Sequence, residues 1–494
     1  MILRVVGNAD PYGGFYMLEN LKPAKVFKYF EDICNIPHGS GDMERIADYC
    51  VEFAKTHSLK YVKDNANNVV IYKNATAGYE NAEPVILQGH LDMVCQKTED
   101  RNIDFSNDGL EVFVDGDFVR AHGTTLGADN GIAIAMVLAI LENDEYSHPP
   151  IEAVFTTDEE IGMVGAKKLD MSLLNGRKMI NIDSEEENAV TVSCAGGSDF
   201  EVTLPFTPIK KDGAEITVIL KGLQGGHSGI EIDKGRVNAN ILMGRFLNSL
   251  ADNVDFDIIS INGGDKGNAI PNLCKIRLCI NDVDSFYSQA EIELSTIKNE
   301  LSEREKDFEP TIIVGEKSEF SVLPNDVKND IIYALTCAPN GIIEMSAGIQ
   351  GLVETSLNLG ILATEGNNIR MLFALRSNKK SAHIALENKL KRFFSKITCE
   401  IKTWGHYPPW EFKENSPLQR LYIDTYKEIA GFEPSVVAIH AGLECGTFAD
   451  ALSGLDCISI GPDLFDVHTV NEKMSISSTE RIFNVLTSLL AKFV

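Results

Sequence analysis

The chain has 494 residues, too many for one hydrophobic core, and carries a net charge of −27 from 45 basic and 72 acidic side chains. A surface of that sign repels phosphate backbones and anionic bilayers, which argues against nucleic acid and membrane as partners. No apolar run is long and uncharged enough to span a bilayer, and the apolar start over residues 1–6 is too short for a secretory signal.

The ten cysteines are dispersed; Cys274 and Cys279, the one close pair, lack zinc-knuckle spacing and a matching second pair. A cytoplasmic protein with reduced thiols is expected. Residues 1–20 show no clear pattern and read as an N-terminal extension. Apolar residues recur at helical spacing over 23–34 and 43–57. Short β-branched or apolar runs over 68–72 and 85–87 predict strands. Residues 131–141 (GIAIAMVLAIL) are apolar all round, as in a helix buried between layers, with Asp129 or Asn130 as its N-cap. Further strands are predicted over 153–155 and 179–182. This alternation predicts an α/β domain with a mostly parallel sheet.

After residue 198 the texture changes. Strands over 215–220 and 275–280 flank a helix over 239–250. A charged amphipathic helix is predicted over 285–305, and a second group of strands and helices over 325–401. Residues 199–404 read as an inserted α+β domain, within the usual domain size, with room for two lobes but no clean repeat. Residues 404–410, with Gly405, Pro408 and Pro409, read as a crossover linker. A helix over 417–429, strands over 436–439 and 457–460, and a last helix from 478 restore the α/β texture. Residues 405–494 are thus expected to complete the domain begun by residues 21–198.

Four acidic or imidazole groups come just after predicted strands. His90 and Asp92 follow residues 85–87, and Asp158-Glu159-Glu160 follow 153–155. Asp183 and its three glutamates follow 179–182, and His468 lies in the loop after 457–460. Asp129 opens the buried helix. Singly, each is most simply a turn residue, a helix cap or a hydrogen-bonded loop histidine. Ligands of open α/β sheets bind beyond the carboxyl ends of strands, so one crevice could collect all five. Carboxylates gathered there would repel one another unless a cation compensates. Two imidazoles with several carboxylates suit zinc or a related divalent ion.

A run of motifs in order makes the resemblance specific: His90-Leu91-Asp92-Met93-Val94, Gly127-Ala128-Asp129-Asn130-Gly131, Glu159-Glu160, Asp183-Ser184-Glu185, Gly226-His227-Ser228-Gly229, Asn268-Ala269-Ile270-Pro271 and His440-Ala441-Gly442-Leu443-Glu444. From about residue 21 onward the chain resembles the aminoacyl-histidine dipeptidases. They belong to the two-zinc metallopeptidase clan that includes carnosinases, aminoacylases and glutamate carboxypeptidases. The resemblance implies a catalytic domain with an inserted lid. It implies two divalent ions per chain, zinc first and cobalt or manganese as alternatives. His90 and Asp183 would hold one ion, Glu160 and His468 the other, and Asp129 would bridge them. Asp92 would orient His90. Glu159 would be the general base toward a water shared by the ions, hydrolysing dipeptides of the Xaa-His type.

From the insert, His227 would stabilise the oxyanion, Arg376 would pair with the substrate carboxylate, and Asn268 would add a hydrogen bond. In smaller relatives the corresponding histidine comes from a partner chain. Here the longer insert could supply it in cis, and a homodimer stays open. The last ligand motif departs from the pattern: His468-Thr469-Val470 has valine where proline is usual, although Glu472 is retained. His440, after residues 436–439, is the rival ligand. Asp at position 183 favours dipeptidases over the deacylases and carboxypeptidases of the clan. A broad-specificity dipeptidase, a deacylase or carboxypeptidase of the same clan, and a catalytically silent binding protein are the alternatives, and the last is disfavoured because no ligand or base is missing.

Overall fold

A computed structural model describes residue 18, residues 20–142 and residues 144–493. The expected extension over residues 1–20 lies almost wholly outside the described residues. The chain divides into two compact units, leaving the first after Ser193 and returning to it at Phe412; residues 439–442 belong to the second. The boundaries expected after 198 and 404 fall close to these two crossings. Among the described residues no helix is long and apolar enough to cross a membrane.

The first unit is built on an eight-stranded sheet. Its order is Lys60–Lys63, Val69–Lys73, Ile151–Thr156, Val85–His90, Lys178–Asn181, Asp456–Ser459, Ala189–Cys194 and Ser435–Ile439. The four central strands, from Ile151–Thr156 to Asp456–Ser459, pair in parallel. The Val69–Lys73 strand pairs antiparallel on one side of them, and Ala189–Cys194 on the other. The central strands are buried on both faces, which explains their near-continuous apolar sequence.

The all-apolar segment forms the helix Ala128–Leu141, and Ile132 to Leu141 are all at most 1% exposed. It lies against the strand Val85–His90 because Gly89 has no side chain: a Cβ there would meet Asn130 Oδ1 at 2.5 Å and the Ala133 Cβ at 2.8 Å. Its cap differs from expectation. The cap position is Gly127, Asp129 and Asn130 lie inside the span at non-helical angles, and amides at the start are taken by a residue far along the chain. The Glu472 carboxylate accepts from Leu126 N (2.7 Å), Gly127 N (3.1 Å) and Ala128 N (2.9 Å). A carboxylate against free N–H groups at a helix start is the favourable polarity. Asn130 ties two strands instead, accepting from His90 N (3.1 Å) and donating to Ile182 O (2.7 Å).

The second unit carries a nine-stranded antiparallel sheet over a core of its own. Its two halves meet where Asp257–Gly263 pairs with Val353–Glu365, at Gly263 and Leu362. The expected linker over 404–410 is a strand through Tyr407. Glu400–Tyr407 pairs with Gly196–Pro205, and the register shifts between Trp404 and Tyr407. Gly405, at φ +65°, lets the edge strand bulge there, so the glycine that read as a linker residue serves the ladder. The helix expected over 285–305 is Val283–Leu301. Glu305, beyond its end, turns inward and accepts from Gln224 N (2.8 Å) and Val237 N (3.0 Å).

Candidate metal centre

Alternation of side chains along a strand and the abrupt end of each central strand decide which groups reach the carboxyl edge of the sheet. His90 is the last residue of its strand, and Asp183 follows Lys178–Asn181 by two residues. Glu159 and Glu160 sit in the turn after Ile151–Thr156, with Asp158 in the left-handed region at φ 53°. His468, itself at φ 62°, lies in the loop between the short strands Leu464–Phe465 and Lys473–Ser475. Non-glycine residues in that region are uncommon and carry backbone strain.

These residues converge. His90 Nε2 is 3.1 Å from Asp129 Oδ1 and 3.4 Å from Asp183 Oδ1. His468 Nε2 is 3.1 Å from Asp129 Oδ2 and 2.8 Å from Glu160 Oε1. Asp129 thus offers one oxygen to each imidazole. The Glu159 carboxylate reaches within 4.8 Å of His90 and Glu160 donor atoms. His440, the rival, is engaged inside the second unit: Nε2 is 2.6 Å from Ser356 Oγ and Nδ1 3.1 Å from Asn378 Oδ1.

Asp92 has a wider part than orienting a ring. His90 Nδ1 lies 3.0 Å from its backbone carbonyl and 3.5 Å from its carboxylate. The same carboxylate accepts from Glu159 N (3.0 Å), Glu160 N (3.3 Å) and Ser40 Oγ (2.8 Å). One buried side chain therefore fixes the Glu-Glu turn relative to the histidine. Ser40 was not singled out from the sequence as a partner of the site, and Glu472 was named only as the retained residue of the last ligand motif. Glu472 had a signal, the acidic residue four positions after His468, but its partner lies 346 residues away.

The electrostatics show a surplus of carboxylate. Burial raises the Glu159 carboxyl well above its usual range, against the opposing pull of His90, and Asp183 and Glu444 raise it further. Burial pushes Asp183 up to about 6, Glu185 to about 7 and Glu472 to about 7, with Asp129 adding to each. Asp129 goes the other way: burial opposes its charge, but hydrogen bonds from His468 and His90 hold its carboxyl low. Hydrogen bonds to Asp129 and Glu160 push His468 up to about 11. Protons on two imidazoles thus balance the carboxylates. Two overlapping donor groups, His90–Asp129–Asp183 and Asp129–Glu160–His468, share one aspartate, and their nitrogen and carboxylate atoms suit zinc or a related divalent ion.

A metal must displace those protons. His468 keeps its proton up to about pH 11 in metal-free protein, and His90 is also raised, so binding releases protons and weakens as pH falls. Apparent affinity is expected to rise from pH 6 to pH 8 by about tenfold per unit for each proton displaced. The thermal shift produced by zinc should therefore be larger at pH 8 than at pH 6. Calorimetry in buffers of different ionisation heat measures the released protons directly, and a pH-independent affinity would contradict the assignment.

The other expected site residues lie in the second unit. His227 stands on Gly226–His227, paired with Ala269–Ile270, and Ser228 N donates to Asn268 O (2.9 Å). His227 Nδ1 accepts from Gly229 N and Ile230 N, both at 3.2 Å, which leaves Nε2 to carry the ring proton as a donor. Burial lowers its pKa, and the Arg376 charge lowers it further. Arg376 is 8% exposed, donates Nη1 to Tyr407 Oη (2.9 Å), and has no partner for Nε.

Residues 86–492 match the model of peptidase family M20/M25/M40. The chain is 38% identical over 479 residues to the cytosol non-specific dipeptidase of Escherichia coli, covering 96% of this chain and 98% of that protein. Its fold is similar to the crystal structure of aminoacylhistidine dipeptidase from Vibrio alginolyticus. The TM-score is 0.87 at 37% identity, covering 96% of this chain and 97% of that one. Similarity to aminopeptidase PepT from Bacillus cereus (TM-score 0.56, 13% identity, 96% and 99% covered) is one of fold alone.

Proposed function

The chain belongs to peptidase family M20/M25/M40, and we propose that it is a cytosolic, metal-dependent dipeptidase that holds two divalent ions, zinc first, on His90, Asp129, Glu160, Asp183 and His468. The observation that carries the reading is Asp129, with one oxygen toward each imidazole and Glu159 beside them. Ions bound there would supply Lewis acidity toward water and the scissile carbonyl.

The rest of the chemistry belongs to the chain. Glu159 takes a proton from the attacking water and returns it to the leaving amine as the C–N bond breaks. Its raised carboxyl suits a group that must hold that proton in between. Asp92 keeps the Glu159 and Glu160 amides fixed while this happens. His227, as a neutral Nε2–H donor, stabilises the oxyanion. Arg376, steadied by Tyr407, receives the substrate carboxylate, and Asn268 adds a hydrogen bond. A further reading concerns breadth. The Escherichia coli relative is called non-specific, so Xaa-His peptides are expected to be substrates among several dipeptides rather than the only ones.

The test is a panel of dipeptides, N-acylated amino acids and longer peptides, assayed with chelated and metal-restored protein. Dipeptide hydrolysis that disappears on chelation and returns with zinc, cobalt or manganese is expected, at about two ions per chain. Activity that survives chelation, or that favours N-acyl substrates, would overturn the reading.

Arg376 gives a separate prediction. A charge-assisted hydrogen bond lost from the substrate carboxylate costs about 1.5–3 kcal/mol, or roughly 10–100-fold. Arg376→Ala should lower kcat/KM for a dipeptide by that factor, mostly through KM, and change its C-terminal amide much less. An unchanged ratio between peptide and amide would remove Arg376 from that role.

A further inference from the structure

Under the metal-ligand layer runs a row of buried polar side chains that the mechanism does not use. Gln88 precedes His90 by two residues on one strand, so the two share a face. Asn181 precedes Asp183 by two on the next strand, and Thr156 ends the strand that leads into Glu159 and Glu160. Asn181 Nδ2 donates to Gln88 Oε1 (2.6 Å), and Gln88 Nε2 donates to Glu444 Oε2 (2.5 Å). Thr156 Oγ1 donates to the same Glu444 oxygen (2.5 Å) and accepts a longer bond from Gln88 Nε2 (3.1 Å), so Glu444 closes a triangle with the two. All four residues are 0% exposed. Glu444 Oε1 and Asn181 Oδ1 have no hydrogen-bond partner, and no cation pairs with Glu444 among the described residues.

A buried carboxylate without a counter-ion is costly, and an apolar side chain of similar volume would serve stability better. Its value lies in the groups it joins. Glu444 opens the helix Glu444–Ala451 and brings one oxygen to two parallel strands at the level just below their ligands. In the paired strands His90 stands opposite Thr156. A slip or splay between them would change the spacing of His90 against the Glu159–Glu160 turn. Outer partners of metal ligands act in this way on affinity and geometry.

We propose that Glu444 is a positioning residue, whose single carboxylate oxygen clips Gln88 to Thr156 and so fixes the spacing of His90 from Glu159 and Glu160. The inference rests on the metal site proposed above. Its test uses the full chain loaded with cobalt, whose visible absorption reports coordination geometry, together with the cobalt dissociation constant and kcat. Glu444→Gln keeps an acceptor for both donors and should leave spectrum, affinity and kcat within about threefold. Glu444→Leu removes the acceptor and should weaken cobalt binding by about 10–100-fold, alter the absorption bands and lower kcat with little change in KM.

Thr156→Val, which keeps the strand's shape, should move the same readouts in the same direction by about tenfold; it decides the matter if the leucine variant does not fold. Leucine or valine variants with the wild-type spectrum and affinity would overturn the proposal, as would a glutamine variant as impaired as leucine. Wild-type protein that binds no cobalt would overturn the metal reading and this proposal with it. Wild-type binding with unaffected variants overturns this proposal alone.

Discussion

Glu159→Gln is expected to retain about two ions per chain and lose about 10²–10⁴-fold in kcat. The amide is nearly isosteric with the carboxylate, and Glu159 is held by its backbone N–H on Asp92, which the substitution leaves intact. The group able to accept and return a proton disappears. Since that transfer occurs only in the transition state, kcat and kcat/KM should fall together while KM stays close to wild type. Elemental analysis of the purified variant, beside steady-state kinetics at saturating metal, checks both halves. A kcat within a few fold of wild type would assign the base to another residue. Loss of metal with loss of rate would make Glu159 a ligand, a role its distance to His90 and Glu160 donors leaves geometrically open.

The site was legible in the sequence where chemistry comes directly after a strand. His90, Glu159, Glu160 and Asp183 each come at the end of a short apolar run, and burial of that run forces the next few residues to the sheet edge. Choosing His468 over His440 needed more. Both come after strands expected from the sequence, 457–460 and 436–439, and the choice rested on the retained Glu472. The structure shows why that glutamate matters to the site: it closes the helix start beside Asp129.

Tertiary partners of this kind carry no local signature. Nothing around residue 444 says that its carboxylate lies beneath Gln88, and nothing around Asp129 says that its helix is capped from residue 472. Likewise Gly405 with Pro408 and Pro409 reads as a break in the chain, yet Trp404 pairs with Asp199 and Tyr407 with Gly197, because an edge strand tolerates a bulge. The continuous sheet of the second unit was not legible either. Its halves join through one long-range pair, which residue periodicity cannot report.

Asp129→Ala is expected to abolish both metal sites at once, whereas His468→Ala should spare one. Asp129 is the residue common to both donor groups: one oxygen faces His90 with Asp183, and the other faces His468 with Glu160. Losing it leaves each ion with two of its three protein donors and no shared carboxylate to hold the pair together. It also removes the first cause of the raised His468 pKa, the hydrogen bond to Asp129, and one of the causes that raise His90, where the Asp183 charge comes before it. Both histidines should then titrate lower in the metal-free variant, which proton NMR of the ring resonances can follow. Metal content after dialysis should fall from about two per chain to well under one, and the thermal shift produced by zinc should vanish. Dipeptide hydrolysis should drop by at least about 10³-fold, because ions and water activation are lost together. His468→Ala leaves His90, Asp129 and Asp183 in place and should retain about one ion, with a zinc-dependent thermal shift of reduced size. Two ions bound to Asp129→Ala with wild-type affinity would show that the aspartate does not bridge them.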